Sequence, residues 1–289
     1  MKRRYDPAMQ PAEPIVACWQ ARLALGFERH GESTRLVRCE HHGPLRVQKP
    51  LYPEGPGLCH AIALHPPAGI AGGDRLEFDI ALGDGAQALL TTPGAGKWYR
   101  SAGPLADQSV HLTVGAGASA EWLPQESIVF DGAVARMRTR VDLEPGARYL
   151  GLETLCFGRR AAGERFRRGR VRLESEIRVG GRPLWRERGG VEGGSALMDS
   201  AVGLAGFSVC STVLAAGAGI GGDVLAACRS VVPVEAGALA GVSSMPPLFV
   251  GRYLGHSAEA AREWFVDLWR HLRPVMAGRE AVAPRIWST

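Results

Sequence analysis

The chain has 289 residues, 46% of them hydrophobic and 22% charged, which is enough apolar material for a full core and excludes both a disordered segment and a stapled mini-protein. Its net charge of +5 is carried by three lysines (Lys2, Lys49, Lys97) and 31 arginines, a skew toward forked donors that suits carboxylate or phosphate partners without naming one. Glycine (38) and proline (19) are abundant and the six cysteines are dispersed, so the starting expectation is a mainly β protein with reduced thiols in the cytoplasm.

The first 14 residues, with Pro7, Pro11 and Pro14 and no apolar stretch behind the basic start, read as a flexible leader. Residues 15–289 show no composition break and are expected to form one domain. From there a strand, Gly-Ala turn, strand unit recurs. Leu76, Phe78, Ile80 and Leu82 alternate up to Gly85-Ala86; Val110, Leu112 and Val114 alternate up to Gly117-Ala118; Thr139, Val141 and Leu143 alternate up to Gly146-Ala147. The turns are 32 and then 29 positions apart, and a weaker copy stands at Gly237-Ala238. This spacing predicts a superhelical stack of short antiparallel β units. A hairpin is expected where Val171 to Val179 alternates into Gly180-Gly181 and out through RPLWRE.

About two helices are expected near the C-terminus. One begins at Asp223. The other runs from Ser257 to Leu272, with Ala261, Trp264, Phe265, Leu268 and Leu272 on one face, Ser257 as its cap and Pro274 as its end. The uncharged stretch from Ser200 to Gly222 is long enough to span a bilayer, but its six glycines and its Asp199 and Asp223 flanks argue against a membrane helix.

Two nucleotide-like motifs fail on context. Gly217, Gly219 and Gly222 fit G-x-G-x-x-G, yet too few residues follow before Pro233 for a crossover helix. Around Lys97 a phosphate loop would need glycine where Thr91 stands and Ser or Thr where Trp98 stands. Cys39, His41, His42, Cys59, His60 and His65 are metal-ligand types, but without C-x-x-C spacing two half-buried strands are the better reading than a zinc site. Loop carboxylates at Asp74, Glu126, Asp131, Glu153 and Glu164 stand where binding residues collect. From Arg159 to Arg172 seven arginines face one acid, Glu164, which opens two readings: a nucleic-acid-binding β protein, or a face that docks an acidic protein.

Several consecutive strings resemble the urease accessory protein UreD (UreH) family. They are LHPPAGIAGGDRLEFDIALGDGAQALLTTPGAGKWYRS (Leu64 to Ser101), WLPQESIVFDGA (Trp122 to Ala133), ETLCFGRRAAGERF (Glu153 to Phe166), RYLG (Arg252 to Gly255) and PRIW (Pro284 to Trp287). The resemblance implies a non-enzymatic scaffold with a β superhelix. Such a protein binds urease apoprotein, recruits UreF and the GTPase UreG, and passes nickel in transit, through an internal tunnel, with no tightly bound cofactor or metal and neither nucleic acid nor membrane as partner. A conduit must release its ion, so carboxylates and carbonyls suit its walls better than a closed Cys/His site. Asp74, Glu126, Asp131, Glu153 and Glu164, with Arg159, are then candidates for tunnel lining or partner docking, and His65 for an entrance. Gly72 and Gly73 are read as serving backbone geometry, and Thr91, Thr92, Lys97 and Tyr99 as holding the core turn or a partner contact. The Trp264 to Leu272 stripe is read as core, with a UreF interface as the alternative.

Overall fold

The computed structural model describes residues 18–288; the leader expected over residues 1–14 lies outside them. In chain order the strands are β1 (Gln20–His30), β2 (Ser33–His42), β3 (Arg46–Val47), β4 (Cys59–Leu64), β5 (Arg75–Leu82), β6 (Gln87–Thr91), β7 (Gly96–Trp98), β8 (Ala106–Val114) and β9 (Ser119–Trp122). They continue as β10 (Ser127–Val129), β11 (Val134–Leu143), β12 (Arg148–Phe157), β13 (Arg170–Val179), β14 (Arg182–Glu192), β15 (Val209–Ala216), β16 (Leu239–Met245) and β17 (Leu248–Gly255). Three helices are described: α1 (Ala196–Asp199), α2 (Gly222–Ser230) and α3 (Ala258–Ala277). Both expected helices are present, and α1 is a single additional turn.

The mainly β stack follows from the turns. In each repeat the fourth residue's amide closes on the first residue's carbonyl: Ala86 on Gly83, Ala118 on Gly115, Ala147 on Glu144. The third residue is Gly85, Gly117 or Gly146, at φ +67°, +67° and +80°. That is the type II geometry, which needs φ > 0 at its third position and splays its flanking strands rather than matching their twist. The two strands of a unit therefore do not pair with each other, which corrects the antiparallel detail of the expectation. The first strand of each unit joins a seven-stranded sheet, in the order β14-β13-β11-β8-β5-β1-β2, and the second joins a ten-stranded sheet running β16-β17-β15-β12-β9-β6-β4-β3, with β7 and β10 alongside. Successive units pair in parallel: Arg75 opposite Asp107 and Asp107 opposite Arg136 in one sheet, Ala88 opposite Ala120 and Ala120 opposite Tyr149 in the other. These registers repeat the 32- and 29-residue offsets of the turns. The Gly237-Ala238 copy keeps the turn but has no strand before it, because it leads from a coil into the edge strand β16.

Gly180 and Gly181 behave differently. Both have positive φ (+53° and +77°), the primed-turn geometry that matches strand twist, and here β13 and β14 do form the expected antiparallel hairpin.

The two sheets face each other across one core, to which Leu23, Leu25, Leu76, Phe78, Leu112, Trp122 and Leu214 all contribute. Phe78 of β5 meets Trp122 of β9 across it, ring centroids 5.6 Å apart. The opposite face of the larger sheet carries α3, whose Trp264, Phe265, Leu268, Trp269 and Leu272 are all buried in a second core with Leu150, Val213 and Phe249. The broad aromatic stripe is thus core on every side, as its favoured reading had it. The helix does not end at Pro274: it runs on to Ala277, and Gly278, at φ +66°, closes it by donating to the Pro274 carbonyl. Proline ends a helix only where a further turn has no compensation; here the left-handed glycine cap and the burial of Met276 and Ala277 supply it. Among the described residues no helix is long and apolar enough to cross a membrane; Ser200 to Gly222 holds turns, β15 and a loop.

Candidate functional site

Strand parity decides which polar residues enter the space between the sheets. On β12, Tyr149 and Leu155 belong to the inter-sheet core while Leu150, Leu152 and Cys156 face α3. Glu153 therefore points between the sheets, on a face that is otherwise apolar. There it borders a cavity of about 370 Å³ that runs across the stack. On one side stand His65, Thr92, Lys97 and Gln125; Phe78, Gln108, Trp122, Met137 and Tyr149 line the middle; Glu153, Ser175, Glu187 and Thr212 stand on the other side. The walls are mainly apolar, with Gln108 and Thr139 in the middle and the charged groups at the two sides.

The far mouth is held by Arg252 of β17. Its guanidinium donates to Glu187 Oε1 of β14 and to Thr212 Oγ1 of β15, both at 2.7 Å, so it bridges the two sheets. Glu187 and Arg252 are about two-fifths exposed, which places this bridge at the surface of the cavity. Behind it Glu153 makes no ion pair among the described residues. Burial first, and the neighbouring Glu187 charge second, push its carboxyl up to about 7, with Arg252 offsetting only part of this. At the near side, His65 Nε2 is buried without a hydrogen-bond partner, and burial lowers the imidazole's pKa against the pull of Asp74.

The other candidate residues lie elsewhere. Asp74 accepts from the backbone of Trp19 (2.7 Å) and Ala71 (2.8 Å) and so ties β1 to the turn before β5. Glu126 sits toward α3, 3.9 Å from Arg262, while its neighbours Gln125 and Ser127 line the cavity. Asp131, Arg159 and Glu164 form a separate cluster. Asp131 Oδ1 accepts from the backbone of Arg167 and Arg168 and Oδ2 from the Arg168 side chain, whereas Glu164 accepts from Asp131 N and from both the backbone and the side chain of Arg159. The Arg159 guanidinium also lies 4.4 Å over the Phe130 ring. The backbone-geometry residues have clear work: a Cβ at Gly72 would come within 2.3 Å of Ser101 Oγ, and Gly73 sits at φ +96°. Thr91 Oγ1 donates to the Leu123 carbonyl and accepts from Trp287 Nε1 of the C-terminal PRIW string. Thr92 accepts from Gln125 N, and Tyr99 packs edge-on against Phe130.

Two groups escaped the sequence reading. Glu187 and Arg252 complete the mouth, and the available signal was a charge on the inward parity of β14, set by Ile177 opposite Trp185. The second is a buried ionic knot beneath α3: Arg273, fully buried, bonds both Glu54 and Glu121, and His60 Nε2 lies 2.8 Å from Glu54. Cys39, His41 and His42 are exposed on β2 while Cys59 and His60 are buried on β4, and among the described residues no three His, Cys, Asp or Glu side chains converge as a metal-binding group.

Fold and cavity together define a stacked-β protein with a cavity between its two sheets, bordered by Lys97, Glu153 and Glu187. Comparison with known proteins gives the family. The profile described as UreD urease accessory protein matches residues 20–288. A urease accessory protein UreD of Dechloromonas aromatica (strain RCB) is 54% identical over 274 residues, 94% of this chain and 95% of its own. That of Azoarcus sp. (strain BH72) is 54% identical over 282 residues, 98% and 97% respectively, and that of Pseudomonas aeruginosa (strain PAO1) is 50% identical over 272 residues, 94% and 95%. The chain belongs to the UreD family of urease accessory proteins.

Proposed function

We propose that this chain is a non-enzymatic, cytoplasmic platform in urease maturation, which binds the urease apoprotein, recruits UreF and the GTPase UreG, and lets nickel pass through its inter-sheet cavity. The observation that carries the reading is Glu153: a carboxyl without an ion pair among the described residues, half-buried beside a cavity, with a pKa of about 7. A group so poised takes up a cation on losing a proton and gives it back readily, since one or two carboxylates hold Ni²⁺ far more weakly than a Cys/His set does. His65, at the other side, offers a neutral imidazole nitrogen that is unengaged. Nickel is here cargo; no resident cofactor is part of the proposal.

The candidates divide by position. His65 and Glu153 are assigned to the route. Asp131, Arg159 and Glu164, which lie off the cavity and stiffen an exposed loop, are assigned to partner docking, with Glu126 and Asp74 supporting the elements that carry both. This chain would hydrolyse no GTP itself; that activity is assigned to UreG.

The test is co-expression with urease apoprotein, UreF and UreG, comparing Glu153→Gln with Glu164→Gln for complex recovery and for nickel in the purified urease. The expected result is an intact complex with nickel-poor urease for Glu153→Gln and a weakened complex for Glu164→Gln. Full nickel loading with Glu153→Gln would remove the cavity from the route.

A further inference from the structure

Most charges on the outer face of the seven-stranded sheet are neutralised by neighbours. Arg22 pairs with Asp79, Arg75 with Glu77, Arg136 and Arg138 share Asp107, and Arg140 takes Asp142, with N···O distances of 2.7–3.0 Å. The pattern stops at the edge hairpin. On β13 and β14, Arg170, Arg172, Arg186 and Arg188 are exposed and enter no ion pair among the described residues. Of the acids between them, Glu176 is already engaged by Arg178.

The loop before β13 adds further arginines next to the start of that hairpin. Gly194 donates to the Phe166 carbonyl and Gly193 to that of Gly169, so the loop is fastened to the far end of β14. Asp131 and Glu164 lock Arg168 and Arg159 in place, and the intervening Arg160, Arg165 and Arg167 are left exposed and without ion pairs. These guanidinium groups are carried on a hairpin and a loop already fixed by hydrogen bonds, so a partner that meets them need not order the backbone first. β14 is also the open edge of its sheet, and a side chain built at Gly189 would meet nothing within 4 Å.

We infer that the arginine face of the β13–β14 hairpin and the 159–169 loop is a docking surface for a protein segment rich in aspartate and glutamate. Charge complementarity names the occupant. Although Glu192, Glu174 and Glu176 stand opposite Arg170, Arg188 and Arg186, arginines outnumber acids on this surface, and their planar fork takes a carboxylate in a two-bond pair. Two observations favour carboxylates over a nucleic acid. Glu174 and Glu176 stand between the arginine columns of β11 and β14 and break the positive charge into patches, not the continuous track that the evenly spaced phosphates of a nucleic acid follow. Among the described residues no exposed aromatic ring lies on this face to stack a base: the exposed large aromatics among those residues are Trp19, Tyr52 and Tyr99. This inference stands apart from the nickel route, since it uses none of the cavity residues.

The test measures binding of the full chain to a fluorescent 20-residue polyglutamate peptide and to a 20-nucleotide single-stranded DNA, both at ~150 mM salt, where phosphate-only contacts are already weakened. The variant is Arg170→Gln/Arg172→Gln/Arg186→Gln/Arg188→Gln, and the control is Arg22→Gln/Arg75→Gln on the paired part of the same sheet face; circular dichroism confirms that each is folded. Saturable peptide binding that falls tenfold or more in the fourfold variant and is unchanged in the control supports the inference. Absence of saturable peptide binding, an equal loss in the control, or DNA binding more than tenfold tighter than peptide binding overturns it.

Discussion

Replacement of Arg273 by methionine tests how the C-terminal helix is fastened to the stack. Arg273 is fully buried; it donates to Glu54 at 2.7 and 2.8 Å, to Glu121 at 3.1–3.2 Å, and to the Glu280 carbonyl at 2.7 Å. Trp269 Nε1 adds a 2.7 Å bond to Glu121. One guanidinium thus serves two buried carboxylates. Complete burial raises the pKa of Glu121, and the charge of Arg273 together with the hydrogen bonds from Arg273 and Trp269 offsets only part of that rise. Burial would also raise Glu54, but hydrogen bonds from His60 and Arg273 and their charges outweigh it and bring its carboxyl down to about 2. Removing the cation strands buried acid groups, a loss of about 3–5 kcal/mol by analogy with broken buried ion pairs, or on the order of 10 °C in Tm for a chain of this size. The pH dependence has a definite sign. Glu54 is depressed from 4.5 to about 2, so its contribution is present above about pH 4.5 and lost as pH falls toward 2. The deficit of Arg273→Met is therefore largest near neutrality and shrinks in acid. Urea unfolding at pH 7, 4.5 and 3 is the assay. A deficit below about 1 kcal/mol at pH 7, or one that does not diminish on acidification, would refute the assignment of Arg273 as the shared counter-ion.

Glu153→Gln should be more stable than wild type at pH 8 and closer to it at pH 4.5, because a carboxyl held at about 7 in the fold against 4.5 in the unfolded chain loses stability as pH rises between those values; urea midpoints at the two pH values check it. Gly169→Ala should cost more than Gly181→Ala. Both positions have positive φ, +95° and +77°, but a Cβ at Gly169 meets the Ala133 carbonyl at 2.2 Å while at Gly181 it meets nothing within 4 Å. The second change then loses only the ~1–2 kcal/mol of left-handed strain, and thermal unfolding of the two variants gives the difference directly.

The stack was legible because its signals are local. Alternation places Leu76, Phe78, Ile80 and Leu82 inward on β5, and each Gly-Ala turn declares itself by the glycine it requires. Which strands pair is not a local property. The same strand-turn-strand text fits a hairpin or a pair of strands in opposite sheets, and only the turn type, a φ pattern rather than a composition, separates them. Pro274 misled for a similar reason: its effect on α3 is decided four residues on, at Gly278, and by the burial of Met276.

The candidate site was half legible. Glu153 stood out as an acid inside a family string, yet four acids singled out on the same grounds serve other places, because parity alternates: Glu126 turns toward α3 while Gln125 and Ser127 face the cavity. The partners that define Glu153 come from far along the chain, Glu187 from the edge hairpin and Arg252 from β17. Their meeting depends on the order in which strands enter the two sheets. In a parallel stack each new unit is laid beside the last, so the residues that close the cavity belong to the last strands added, and it is the antiparallel hairpin at Gly180-Gly181 that brings Glu187 back against Arg252. A shortened turn there would leave both cores packed but move the acid from the mouth. The hairpin therefore serves the cavity through Glu187 and the surface through its arginines, two roles on opposite parities of one strand, which substitutions on either face can separate.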